Sequence, residues 1–150
     1  MPKIKVVGMT KLKKKLKDNV TMNDVKRVVL HNGQEMQQKI VENAEITNDT
    51  IAISLYEEND KDSNIVCAKA ADELLTISDI TASFVIGKLG DKICISGRSI
   101  GDINVQIILE KLGGGGHITL AGAQVEGMTI QEVKQELIIR INEYFKEISN

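Results

Sequence analysis

Aromatic side chains are almost missing from this chain. Its 150 residues include two Tyr, two Phe and no Trp. A platform that stacks the bases of single-stranded nucleic acid needs several exposed aromatics, so the composition argues against that class. The same scarcity leaves the core to Ile, Val, Leu and Ala. Cysteine is sparse too. Cys67 and Cys94 lie in apolar runs without metal-ligand spacing. They read as buried free thiols, which fits an intracellular location. The two histidines, His31 and His117, stand apart and cannot build a usual zinc site with their neighbours. No Asp/His cluster is present to hold two catalytic metals. No apolar run reaches the length of a membrane span, and no signal-peptide pattern is seen. There is no internal repeat and no long low-complexity segment.

What is present is a chain of ordinary globular composition, 42% hydrophobic and of single-domain length. The net charge of −2 is unevenly spread. Residues 1–20 hold seven Lys against one Asp, so the remainder is acidic. An acidic body offers no broad footprint for duplex nucleic acid. An anionic ligand must then be held by local geometry. The lysine run over residues 11–17 reads as a solvated face or tail, with contact to anionic lipid or nucleic acid as the functional alternative.

Periodicity places the elements. Residues 3–7 suit a short strand. Thr21 or Asn23 can cap a helix carrying Val25, Val28 and Val29, and the helical pattern resumes over residues 34–41. Residues 50–56 alternate as a strand. Ser63 is expected to cap a helix with Val66, Cys67, Ala70, Ala71, Leu74 and Leu75 on one face. Residues 80–89 and 92–98 form a hairpin across Gly90-Asp91, a type II′ signal. Asp102 is expected to cap a largely buried helix over 103–112, with Gly113 as its C′ residue. Residues 119–123 suggest a short helix or tight turn, and 124–126 a short edge strand. Thr129 and Glu132 form a capping-box pattern, with Met128 and Val133 as a hydrophobic staple. Together these predict an α/β fold with a mixed sheet of about four to five strands flanked by helices.

The chemistry converges on Gly113, Gly114, Gly115, Gly116 and His117. Glycines adopt positive φ and allow close approach, and a row of them can turn successive amides inward as an anion nest. A hinge or a helix C-cap is the plainer reading. Yet a flexible linker is usually Gly/Ser-rich and polar-flanked, and this run is bracketed by core-like sequence. His117 adds a side-chain hydrogen-bond donor suited to phosphate. Arg98 and Ser99 leave the end of a strand, and Asn104 follows in the next helical turn. Arg98 has the planar fork suited to phosphate; its structural alternative is a surface ion pair with Asp91 or Asp102. For Asn104 the alternative is helix capping. A complete catalytic set is lacking: no nucleophile is marked beside His117, and the glycine run lacks the Lys-Ser/Thr of a Walker A loop.

These residues carry a resemblance. The segment ISGRSIGDINVQIILEKLGGGGHITLAGAQ, residues 95–124, resembles the GGGGH-containing DHH-associated domain of DHH-superfamily phosphoesterases. It is most like that of the cyclic di-AMP phosphodiesterases of Gram-positive bacteria. RSIGDINVQ and EKLGGGGHIT are the specific parts, and ADELLTISDITASFVIGK, residues 71–88, also fits. The resemblance implies a substrate-binding domain over residues 45–150, preceded by a basic segment and linker helix over 1–44. It implies that Arg98, Ser99, Gly113, Gly114, Gly115, Gly116 and His117 contact ligand, with Asn104 and Thr119 as further candidates. It implies no cofactor here, but two manganese ions in a DHH domain that this chain lacks, since it has no Asp-His-His sequence. On this reading the isolated chain is inactive and its parent is a cytoplasmic or membrane-anchored phosphodiesterase. The implied partners are an adenine dinucleotide or short oligonucleotide, the DHH catalytic domain, and optionally a second copy. The alternative within the superfamily is an oligoribonucleotide-binding domain of a nanoRNase or RecJ-like exonuclease.

Overall fold

The computed structural model describes residues 34–149. The expected strand over 3–7, the lysine run, the helix with Val25 and Val28, and His31 lie outside the described residues.

In chain order the elements are α1 (Gln34–Glu42), β1 (Glu45–Thr47), β2 (Ile51–Asn59), α2 (Ser63–Leu74), β3 (Ala82–Leu89), β4 (Lys92–Ser99), α3 (Val105–Glu110), β5 (Gly115–Gly116), β6 (Leu120–Glu126) and α4 (Ile130–Ile148). The strands form one mixed sheet in the order β1-β2-β3-β4-β6-β5. Only β2 and β3 run parallel. Parallel neighbours need a crossover, and α2 supplies it.

The alternating residues of the strands feed two cores. Ile51, Ile53, Phe84, Ile86, Ile93 and Ile95 face α3 and α4. Ala52, Tyr56, Val85 and Cys94 face α1 and α2. Covered on both sides, the central strands are buried along most of their length. Ala70 and Ala71 of α2 are fully buried. Their small size lets the helix approach β3 closely enough for the Ser83 hydroxyl to donate to the Ala71 carbonyl at 2.7 Å.

The hairpin forms as its sequence predicts. Leu89 pairs with Lys92, Gly90 has φ +65°, and Asp91 is not left-handed, as a type II′ turn requires. The α4 capping box is complete, with Thr129 accepting from the Glu132 amide and Glu132 accepting from the Thr129 amide.

The expected mixed sheet flanked by helices is present and has six strands, the short β1 and β5 showing no period-2 signal. Several details are corrected. Ser63 does not cap α2. Asp62 occupies that position without a side-chain cap bond, while the Ser63 hydroxyl donates to the Glu58 and Asp60 carbonyls. Asp102 does not cap the next helix either. Gly101 turns the chain at φ +119°, and Asn104 is the cap, its Oδ1 accepting from the Ile107 amide at 3.1 Å. That helix is shorter than 103–112 and buries one side only: Val105, Ile108 and Leu109 are inside, while Ile107 and Glu110 are exposed. Residues 119–123 are neither helix nor turn in the main; from Leu120 they belong to β6, which lies between β4 and β5 and is no edge strand.

Candidate phosphate-binding site

The glycine run begins as a helix cap. The Gly113 amide donates to the Glu110 carbonyl at 3.1 Å, and the Gly114 amide donates to the Leu109 carbonyl at 2.9 Å. These are the paired bonds of a Schellman motif, with Gly113 at the left-handed C′ position, φ +85°. The next two glycines form β5, with Gly115 opposite Gly122 and Gly116 opposite Ala121. A tight turn follows: the His117 amide donates to the Leu120 carbonyl at 2.7 Å, and the Leu120 amide returns a bond to the His117 carbonyl at 3.4 Å.

This geometry changes the meaning of the glycines. The amides of Gly113, Gly114 and His117 are spent on the backbone, so they do not converge as an open nest. Absence of a side chain serves packing instead. A Cβ on Gly114 would lie 2.6 Å from the Ala123 Cβ, and one on Gly116 would lie 2.6 Å from the Ala121 Cα. The small residues 121–123 are the other half of the same close contact. At Gly115 a Cβ would meet nothing within 4 Å.

The turn at His117 is fixed to the rest of the sheet at its other side. The Ser99 amide donates to the Thr119 carbonyl, and the Val105 amide to the Ile118 carbonyl, each at 3.0 Å. The Ser99 hydroxyl also donates to the Ile118 carbonyl at 3.4 Å and accepts from the Gly101 amide at 3.1 Å. The structure therefore brings Ser99, Asn104, His117 and Thr119 together. It gives them different tasks. Ser99 is buried and bonded internally. Asn104 is a helix cap whose own amide donates to the Tyr144 hydroxyl at 3.0 Å. His117 and Thr119 are exposed, and their side chains make no hydrogen bond or ion pair among the described residues. Ile100, Ile118 and Leu120, each at least half exposed, surround them with apolar surface.

Arg98 points to the opposite sheet face from Ser99, as adjacent strand residues must. Its Nε donates to Asp72 Oδ1 at 2.9 Å, and its Nη1 to the Gly97 carbonyl at 2.9 Å. The ion-pair partner is thus Asp72 of α2, not Asp91 or Asp102. Arg98 lines an open groove of about 310 Å³ with Asn64, Ser96, Leu120, Gly122 and Gln124. Among the described residues, α2 packs on β3 and β4 and does not extend over this face of β6. Leu120 belongs to both places: it lines the groove and closes the His117 turn.

Asp72, Tyr144 and the groove were not legible beforehand. Arg98 and Asp72 are 26 residues apart, and Asn104 and Tyr144 are 40 apart. No local spacing signals such pairs. Among the described residues, no three His, Cys, Asp or Glu side chains stand together as a metal site. No helix among them is long and apolar enough to cross a membrane.

Comparison with known proteins places this arrangement. Residues 48–147 match the DHHA1 domain. The cyclic-di-AMP phosphodiesterase GdpP of Geobacillus thermodenitrificans is 48% identical over 109 residues, covering 72% of this chain and 17% of the relative. The cyclic-di-AMP phosphodiesterase PdeA of Listeria monocytogenes is 43% identical over 111 residues, with 73% and 17% covered. The chain thus spans less than a fifth of these relatives. An exopolyphosphatase-related protein from Bacteroides fragilis shares the fold, with a TM-score of 0.68 at 16% identity, covering 93% of this chain and 44% of that one.

Proposed function

Because the chain belongs to the DHHA1 domain family, we propose that it is the substrate-gripping domain of a DHH-type phosphodiesterase acting on cyclic di-AMP or a related adenine dinucleotide. The names of the relatives support the substrate class. The observation that carries the reading is the His117 turn. Its backbone is fixed by bonds to β4, α3 and β6, yet it presents two unengaged polar side chains to solvent. A rigid frame holding idle donors is what a preorganised ligand site requires.

In this reading His117 and Thr119 donate to phosphate oxygens. The Arg98 fork neutralises charge through the N–H groups left after its bonds to Asp72 and Gly97. Gly115 lets the ligand lie against bare backbone. Ile118 and Leu120 offer apolar surface to a base. Ser99 and Asn104 hold the turn and touch no ligand. Hydrolysis belongs to a separate DHH domain carrying manganese, in a parent protein whose active site faces the cytoplasm. This chain binds and orients; it carries out no hydrolytic step.

The test is an amide NMR titration of the chain with linear di-adenylate, cyclic di-AMP and a longer oligoadenylate. Saturable shifts at Gly115, Gly116, His117 and Arg98, no tighter for the longer ligand and weakened several-fold by His117→Ala, are expected. Affinity that climbs with length and falls steeply with salt would instead identify a nucleic-acid-binding module. Absence of shifts at millimolar ligand would reject the site.

A further inference from the structure

We infer that Cys67 and Cys94 form a peroxide-sensitive dithiol, an oxidative modification site that closes an internal disulfide between α2 and β4. The inference is independent of the function proposed above.

The two sulfurs converge on one point of the sheet. Cys94 lies opposite Gly87 in the β3–β4 register. A Cβ built on Gly87 would fall 2.5 Å from Cys67 Sγ and 3.4 Å from Cys94 Sγ. Both thiols thus occupy the space that the missing side chain leaves above β3. The two residues come from different elements and are 27 positions apart in sequence, yet their sulfurs flank the same backbone position. Their ordinary fate would be inert packing, as small buried hydrophobes. Two features argue for reactivity. The neighbouring Cys67 thiol, with the backbone amides of Gly87 and Cys94, holds the Cys94 thiol below its usual range, while the Cys94 sulfur and burial push Cys67 up. Cys94, 3% exposed, also lines the open groove beside Arg98, the side from which a small hydroperoxide would have to reach it.

The chemistry balances with hydrogen peroxide as oxidant. The Cys94 thiolate attacks one peroxide oxygen and the O–O bond breaks. The leaving hydroxide takes a proton and departs as water. Cys94 is then a sulfenic acid. The Cys67 sulfur attacks the Cys94 sulfur, the S–O bond breaks, and the hydroxide leaves with the Cys67 proton as a second water. Two thiols and one peroxide give one disulfide and two waters. The product ties α2, which carries Asp72, to the strand that carries Arg98, four residues beyond Cys94 on the same sheet face.

The experiment treats the full native chain with stoichiometric hydrogen peroxide, then denatures it without reductant and counts thiols. Complete loss of both thiols, recovered by dithiothreitol, is expected. Peptide mapping should find the segments around Cys67 and Cys94 linked within a monomer, with a mass loss of two hydrogens. In Cys67→Ser the reaction should stop at a sulfenic acid on Cys94 that dimedone traps. Should that variant not fold, the map of the unsubstituted chain decides alone. Persistence of both thiols, oxidation without the cross-link, or linkage between chains would each overturn the inference.

Discussion

Alanine substitutions along the glycine run should separate four residues that look identical in sequence. At Gly114 the added Cβ meets Ala123 at 2.6 Å and 2.9 Å, contacts with the Cβ and Cα of a strand that cannot swing aside. Accommodating it means prising β5 from β6. Overpacking of this kind costs about 1–3 kcal/mol. At Gly116 a similar clash with Ala121 is joined by φ +147°, so the loss is about 2–4 kcal/mol. Gly113 has open space but φ +85°, and a left-handed alanine costs about 1–2 kcal/mol. Gly115 has neither constraint, so Gly115→Ala should fall within about 0.5 kcal/mol of the unsubstituted chain. Urea unfolding reads the series directly, since a change in midpoint at constant slope is a change in stability. The expected order of loss is Gly116, Gly114, Gly113, then Gly115 at nearly zero. Equal losses at Gly114 and Gly115 would refute the strand pairing. Four near-zero values would return the run to a flexible hinge. Gly115→Ala then becomes the useful probe of the ligand: it should weaken dinucleotide binding while leaving the urea midpoint unchanged.

Three further outcomes follow from single contacts. Tyr144→Phe removes the acceptor for the Asn104 amide and should lower stability by about 1–2 kcal/mol in the same assay. The Tyr56 phenol is pushed above its ordinary value of 10 by burial and then by its bond to Asp60; the fold holds that proton more tightly than the unfolded chain, so its stabilisation is full below pH 10 and declines as pH rises beyond it. Tyr56→Phe should flatten this alkaline limb, and an unchanged limb would remove Tyr56 as its source. Asp72→Asn keeps an acceptor for Arg98 Nε and leaves the Gly97 bond in place, but deletes a competing negative charge. Asp72 is well exposed, so dinucleotide affinity should rise by at most about five-fold, the equivalent of about 1 kcal/mol; weaker binding would show that Asp72 positions the guanidinium.

What the sequence could and could not disclose divides along contact range. The α4 capping box, the Gly90-Asp91 hairpin and Gly113 as a helix C′ residue are each settled within six residues, and each was readable. The cap of α3 was misread by two residues because Asp102 and Asn104 are both good caps. The choice was made by a distant partner, the Ile118 carbonyl, which takes the Val105 amide. β6 was misread because Ala121, Gly122 and Ala123 have weak strand preference. They form a strand since only small residues fit against Gly114 and Gly116. The site shows the same division. Arg98 and His117 were identifiable by type and position. The tie of Arg98 to Asp72 and the inward bonding of Ser99 depend on which sheet face each residue occupies.

The fold accounts for three of the four glycines. Gly113 is needed for the left-handed cap, and Gly114 and Gly116 for the contact with β6. Among the described residues, nothing requires glycine at position 115. Glycine offers a strand no stability over alanine, and alanine fits here without contact. On the proposed reading, Gly115 stays bare because a ligand approaches its backbone. It lies two residues from His117, beside the apolar rim of Ile118 and Leu120. On that reading, phosphate recognition would rest less on a ring of glycine amides, several of which are already bonded to the backbone, than on side chains at the His117 turn and on one bare stretch of backbone that a ligand can press against.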